Sequence, residues 1–204
     1  MNQDLNSVKS DRAYHHGALR PALIAAAEAV LAERGVQGFS LRETARRAGV
    51  SPAAPAHHFG DASGLLTAVA AGAFRDLGDS LEAAEPARSR EARIRAQGVA
   101  YVRFALANRA RFDLMWRAAL LNRDDPAYAA AATRAFILLD RAVRGGEVGL
   151  GGPAGPETAP SIACWSMVHG FATLALVGTF GTDPGAAEAA VGALLPAVLD
   201  HLTV

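Results

Sequence analysis

The segment from Ser40 to Phe59, SLRETARRAGVSPAAPAHHF, has residue types and a spacing that could bind DNA. Its two short helical stretches are separated by Gly49–Ser51. A glycine can take the left-handed conformation that a sharp helix exit requires, and the small side chain of Ala45 lets the next helix cross closely over it. This spacing predicts a helix-turn-helix, whose second helix enters the major groove. A plain helical hairpin inside a core would show the same pattern.

Two pairs of adjacent histidines, His15-His16 and His57-His58, are the residues best suited to hold a metal ion. Neighbouring side chains on a helix point about 100° apart, and no nearby acidic or thiol ligand completes either pair. The single cysteine, Cys164, excludes both an internal disulfide and a CxxC site. We therefore expect neither a metal nor a cofactor.

Apolar residues at helical spacing predict the elements that position this segment. A polar, flexible arm precedes a first helix that begins near Ala18 and stops at Gly35. The chain then divides into an arm (1–16), a helix-turn-helix head (17–62), a connecting helix (63–84) and a ligand-binding and dimerisation body (85–204).

Capping residues mark the starts of the next three helices. Ser40 and Glu43 form a capping box for a helix that ends before Gly49. Ser51 is predicted to cap the third helix, with Pro52 in its first turn, and Asp61 to cap the fourth.

The body has five further helical stretches, the first two between Ile94 and Leu120, and one loop. Asp125-Pro126 opens a helix that Gly145 ends, and residues 145–160 form a loop rich in glycine and proline. One helix that contains residues 165–180 and another that carries apolar residues from Ala187 to Leu202 close the chain.

Bulky apolar side chains of the body could line a ligand cavity or simply fill the core. They are Phe104, Met115, Trp116, Phe136, Trp165 and Phe171. His169 lies in an apolar stretch without a Ser or Cys in a triad-like context, so a hydrogen-bonded core or pocket residue is favoured over a catalytic base.

Composition favours an all-α fold, because alanine and leucine are strong helix formers and β-branched runs are scarce. The formal net charge is zero, which argues against a non-specific polyanion binder.

The N-terminus lacks an apolar signal region, so we expect a cytoplasmic protein. Residues 161–180 carry no formal charge and have the length of a membrane span, but a buried core helix is favoured and no membrane partner is expected.

Together, Tyr14–Gly17, Leu23–Gly35, the segment above and Asp61–Val69 resemble the head of TetR-family (tetracycline-repressor-like) transcriptional regulators. In the body, Trp165–Gly170 resembles the Trp-x-x-x-His-Gly signature of one C-terminal domain class of that family. The resemblance implies a homodimer joined through its last two helices, a small, largely apolar effector in a body pocket, and double-stranded DNA as partner. It implies that the protein is a regulator and not an enzyme.

The same resemblance implies which residues contact DNA. Ser40, Arg42 and Thr44 would bind phosphate. The groove-reading helix and its turn would present Ser51, Pro52, Ala53, Ala54, Ala56, His57 and His58. Alanine methyl groups suit thymine methyl groups, and a histidine can donate to a phosphate or a base edge. Arg12 and Tyr14 of the arm would reach the backbone or the minor groove. The implied ligand pocket holds Phe104, Met115, Trp116, Phe136, Trp165 and His169.

Three positions depart from the family pattern. Family members usually carry a tyrosine at the position of Ala56 and a lysine at that of Ala62, and both contact phosphate. Pro55 removes an amide donor from the reading helix, which predicts a late helix start. The sequence therefore predicts a dimeric regulator, most simply a repressor of a palindromic operator. The alternative is a ligand-binding helical dimer with weak or lost DNA binding.

Overall fold

The computed structural model describes residues 5–84, 89–145 and 155–201, and the side chains among them from Leu19 onward except that of residue 184. All regular elements in these ranges are helices, which confirms the predicted all-α class. The α-helices are α1 Leu5–Arg34, α2 Leu41–Arg47, α3 Ala54–Phe59, α4 Ala62–Ala83, α5 Arg90–Ala107, α6 Arg109–Met115, α7 Pro126–Arg144, α8 Ala159–Leu176 and α9 Pro184–Leu199. Short 3-10 helices lie at Ala118–Leu120 and Pro156–Thr158.

Side-chain caps start most of the long body helices. The hydroxyl of Ser89 accepts from the N–H of Ala92 at the start of α5. Asp125 accepts from two amides at the start of α7, as its sequence position predicts. Helix α7 ends at Gly145, whose φ of 72° is left-handed. Such caps satisfy amide groups that the first helical turn leaves unpaired.

Three predicted boundaries are wrong. Helix α1 begins at Leu5 instead of near Ala18, so the backbone of residues 5–16 is helical where an arm was predicted. Helix α8 begins at Ala159, inside the predicted loop, and ends at Leu176, before Phe180. Residues 146–154 of that loop lie outside the described residues.

Helix α4 is the centre of the molecule. It packs against α1 and α3 of the head and against α5, α6 and α7 of the body. Its buried face runs from Leu65 to Leu81. One continuous cluster of buried apolar side chains extends through this helix from Ala27 of α1 to Leu199 of α9. Head and body therefore share one core.

Helices α8 and α9 are apolar beyond what they bury. The stretch Pro156–Leu176 is the one part of the described chain long and apolar enough to cross a membrane, and 33% of its most apolar window is buried. Val168, Phe171 and Ala172 face the core. Val177, just beyond α8, is 70% exposed, and Leu194 of α9 is 43% exposed. Helix α8 thus joins the bundle and leaves an apolar face uncovered.

Candidate nucleic-acid interface and ligand cavity

Ser40 caps α2 as predicted. Its hydroxyl accepts from the N–H of Glu43 at 3.4 Å, while its own backbone is extended. The reciprocal half of a capping box is replaced by other contacts, because the Glu43 carboxylate accepts from Arg46 and Arg47. Thr44 is fully buried and its hydroxyl donates to the carbonyl of Ser40 at 3.0 Å. The predicted phosphate contact from Thr44 is therefore wrong.

Gly49 makes the bend between α2 and α3. Its φ is 69°, and a Cβ built there would meet no atom within 4 Å, so the conformation alone favours glycine. The N–H of Val50 closes the turn on the carbonyl of Ala45 at 3.0 Å. The predicted bend is confirmed.

Helix α3 begins later than its polar cap residue predicts. It starts at Ala54 after Ala53, without a side-chain cap, and Ser51 contributes its carbonyl to the turn by accepting from the N–H of Ala54. The assignment of Ser51 as N-cap and of Pro52 to the first turn is wrong. The late start that Pro55 predicts is confirmed, since proline fits the first turn of a helix.

The turn and α3 project outward. The exposed residues are Ser51, Pro52, Ala53, Ala56 and His57. Ala54 and His58 are half-buried, and the rings of His57 and His58 meet edge to face at 5.4 Å. Pro55 alone of α3 is buried and faces the core. The helix therefore offers solvent one face of small apolar side chains with a histidine beside them, and the buried hairpin alternative is wrong.

Ion pairs fix the base of this surface. Glu43 binds Arg46 at 2.8 Å and Arg47 at 2.9 Å, and Arg47 reaches Glu33 of α1. The hydrogen bonds from Arg46 and Arg47 lower the pKa of Glu43 to about 2. Both arginines are thus held within the head, whereas exposed Arg42 makes no ion pair within the described chain. Arg42 is the basic side chain of α2 that is left to meet a phosphate.

The other predicted DNA-contact positions lie in the N-terminal arm, on α3 and at the start of α4. The side chains of Arg12 and Tyr14 lie outside the described residues. Ala56 is exposed on α3, and Ala62 is half-buried as the first residue of α4. Asp61 caps α4 as predicted, accepting from the N–H of Gly64 at 2.8 Å. Among the described residues, no three His, Cys, Asp or Glu side chains are grouped to hold a metal ion.

A cavity of about 310 Å³ lies in the body. Its lining includes Phe74 and Leu77 of α4, Phe136 of α7 and Trp165 of α8. Trp116, which follows α6, contributes another ring. The cavity therefore touches α4, the helix that also packs against the head.

Comparisons with known proteins place both halves of the chain. The family of bacterial regulatory proteins called tetR matches residues 23–69. The tetracyclin repressor-like C-terminal domain matches residues 94–198, which is more than half of the chain. The chain belongs to the TetR family. It is accordingly a transcription regulator of a DNA-binding family, and the resemblance read from its sequence is confirmed.

Solved structures agree with the TetR family fold over nearly the whole chain. A protein of unknown function from Rhodococcus sp. RHA1 is 36% identical, with a TM-score of 0.72, covering 94% of this chain and 98% of that chain. The TetR family transcriptional regulator PfmR from Thermus thermophilus is 21% identical, with a TM-score of 0.65, covering 89% and 99%. The second likeness shows the fold alone. No curated protein matches the chain.

The Trp and His of the Trp-x-x-x-His-Gly signature in this TetR family body both contact the hydroxyl group of Tyr101. Trp165 Nε1 donates to the Tyr101 hydroxyl at 3.3 Å, and that hydroxyl lies 2.9 Å from Nδ1 of His169. Because an indole can only donate, we assign the hydroxyl proton to the bond with His169. Burial lowers the pKa of His169, which favours the neutral ring that this bond needs. His169 is the hydrogen-bonded residue that the sequence predicted.

The structure brings only some of the predicted pocket residues together. Trp116, Phe136 and Trp165 line the cavity. Phe104 and Met115 are buried in the core and are not among the residues that line this cavity, which fits the core-filling alternative for these two. His169 instead lines an open cleft between α1 and α6, which Trp116 also reaches.

Sequence reasoning missed several lining residues, among them Phe74, Tyr101, Arg123 and Tyr128. Tyr101 was the signal in the sequence that could have revealed the cavity, because a buried phenol on an apolar helix face needs a hydrogen-bond partner or a cavity beside it.

Proposed function

We propose that this TetR family chain acts in the cytoplasm as a homodimeric repressor that binds a palindromic operator and releases it when a small, largely apolar effector fills the body cavity. Its main support is the exposed face formed by α3 and the turn before it, where Pro52, Ala53, Ala56 and His57 are exposed. This face would enter the major groove. Half-sites would lie about 34 Å apart or somewhat more.

The uncovered apolar face of α8 and α9 supports the homodimer. Leu174, Val177 and Leu194 are large apolar side chains left exposed there. A Cβ built at Gly170 or Gly192 would meet nothing within 4 Å in the protomer, which leaves room for a close partner helix. A second copy would cover this face, and α8 would then be an interface helix instead of a membrane span.

The effector would act by preferring one arrangement of the two heads. Binding shifts an equilibrium only as far as the ligand prefers one state over the other. Helix α4 supplies the physical link, because Phe74 and Leu77 line the cavity while Leu65 and Leu66 belong to the core shared with the head. Filling the cavity would favour a head separation that does not match the operator.

Fluorescence anisotropy against the DNA flanking the chain's own gene tests DNA binding. We expect protection of a palindrome in footprinting and two chains bound per site. Arg42→Gln should weaken binding and lower the salt slope by about one unit, because one phosphate contact is lost. Arg109→Gln removes an exposed charge from the body and is the matched control. No binding at low salt would contradict the proposal.

Analytical ultracentrifugation tests the dimer. Val177→Glu with Leu194→Glu should yield monomers, since both charges would be buried in the interface. Leu120→Glu changes an exposed leucine in a 3-10 helix and should leave a dimer. Equal behaviour of both variants would contradict this interface.

A second candidate is a ligand-binding dimer whose DNA binding is weak or lost, which the alanines at positions 56 and 62 favour. Ala56 is exposed on α3, where a tyrosine would reach solvent. Under this candidate the native chain would not bind DNA, whereas Ala56→Tyr with Ala62→Lys would bind with a salt slope of about two units from the added contacts.

A further inference from the structure

The size of the cavity limits what can fill it. Its volume is about 310 Å³, near the lower end of small-molecule pockets. A protein cavity of about 150 Å³ holds one benzene molecule. A compact molecule of two fused or linked rings therefore fits.

The walls of the cavity suit aromatic rings. Phe74 and Trp116 meet edge to face with centroids 5.6 Å apart. Trp116 and Trp165 are tilted at 5.4 Å, and Phe136 meets Trp165 at 6.4 Å. A planar ligand between these side chains would continue the same edge-to-face pattern, which aromatic groups prefer.

Neither indole N–H beside the cavity is available to a ligand. Trp165 Nε1 is already bound to the Tyr101 hydroxyl. Trp116 Nε1 has no partner within the part of the chain that the structure describes, but it is enclosed by protein atoms, so a ligand oxygen in the cavity does not reach it. A polar contact to a ligand must therefore come from another lining residue.

The charge at the cavity is positive. Arg123 is the charged side chain among the described lining residues, and no carboxylate joins it there. It is exposed, and it forms no ion pair within the described ranges. Asp125 nearby is already used to cap α7. An anion at the rim would meet one uncompensated guanidinium group.

We propose that the effector is a two-ring aromatic carboxylate. Its rings pack against the aromatic walls of the cavity, and its carboxylate accepts from Arg123. This inference rests on the proposed function, in that it assigns the chemistry of the same effector cavity.

Isothermal titration calorimetry with matched probes tests this chemistry on the full chain. The probes are 2-naphthoate, neutral naphthalene-2-carboxamide and cationic 2-naphthylmethylammonium. We expect 2-naphthoate to bind about fivefold more tightly than the amide, because the guanidinium group is exposed and its attraction is modest. The ammonium probe should bind more weakly than the amide.

Variants locate the charged contact. Arg123→Gln should reduce 2-naphthoate affinity to that of the amide, whereas Arg117→Gln, an exposed arginine paired with Asp113, should not. Equal affinity of 2-naphthoate and amide, or no effect of Arg123→Gln, would overturn the inference.

A cavity-filling variant separates this failure from failure of the proposed function. Ala132→Phe fills the cavity and should abolish binding of every probe, with folding checked by circular dichroism. If Ala132→Phe blocks binding but charge has no influence, the effector cavity stands and the carboxylate is wrong. If no probe binds, or if Ala132→Phe has no effect, the inference fails and DNA binding is judged by its own assay.

Discussion

The head and the body of this regulator are stabilised by different means. The turn and caps of the head depend on a left-handed glycine, capping side chains and the ion pairs of Glu43 with Arg46 and Arg47. The body depends on ring contacts around Phe74, Trp116 and Trp165, and these rings enclose a cavity. In the head, contacts between residues close in sequence fix the shape of an exposed surface. In the body, packing between distant helices leaves an interior space that can accept a ligand.

Phe74→Ala should have the largest effect on this contrast. Phe74 is 5% exposed and contacts both Trp116 and Tyr128. Its loss should lower the free energy of unfolding by about 3–5 kcal/mol, measured by urea denaturation. Phe180→Ala, at a half-buried ring stacked on Phe171, is the control and should cost less.

Because head and body share a core through α4, Phe74→Ala should also reduce hydrogen-exchange protection in α1 and α2. Unchanged protection in α1 and α2 would mean that head and body unfold independently, which would contradict one cooperative core.

Gly49→Val should separate the two regions. The φ of 69° is unfavourable for a β-branched residue, which costs about 2 kcal/mol and distorts the α2–α3 bend. DNA binding should be lost in gel shifts, while calorimetric binding in the body cavity is retained. Gly49→Asn is the control, since asparagine tolerates this region. Loss of cavity binding together with DNA binding would show that the bend is not confined to the head.

Two cap substitutions sharpen the assignment of the head surface. Asp61→Ala should destabilise the protein by about 1 kcal/mol. Ser40→Ala should destabilise it less, because the Ser40 bond of 3.4 Å is longer than the Asp61 bond of 2.8 Å. If Ser40 contacts phosphate, Ser40→Ala should nevertheless weaken DNA binding more than Asp61→Ala does. The opposite order in anisotropy would remove Ser40 from the interface.

The smallest expected effect is a pH dependence in the body. Burial lowers the pKa of His169 in the folded state from its ordinary value of 6.5. The unfolded chain therefore takes up the proton first, so this stabilisation is complete above about pH 6.5 and is lost as the pH falls toward the lowered pKa. His169→Gln should have a shallower loss of melting temperature below pH 6.5, and His201→Gln, at an exposed histidine, should follow the native profile.

The sequence predicted features that depend on one or two residues. Ser40, Asp61 and Gly49 are found in the roles expected of them, because caps and left-handed bends follow from the chemistry of a single side chain. Ser51 failed as a cap because Pro55 suits a helix that starts later.

The cavity could not be predicted in the same way. Phe104 lies in α5 and Trp116 directly follows α6. Both are large and apolar, yet only Trp116 lines the cavity. Periodicity shows which face is buried but not whether the opposing helices leave a space. That depends on how α4, α7 and α8 pack together, which no local pattern records.

The length of helix α4 would amplify a small rotation. Its 22 residues span about 33 Å, at 1.5 Å per residue. A tilt of about 5° at its cavity end would displace its other end, beside α3, by about 3 Å, from this length alone. In the proposed homodimer, a ligand that rotates this helix by a few degrees would therefore change the spacing of the two reading helices.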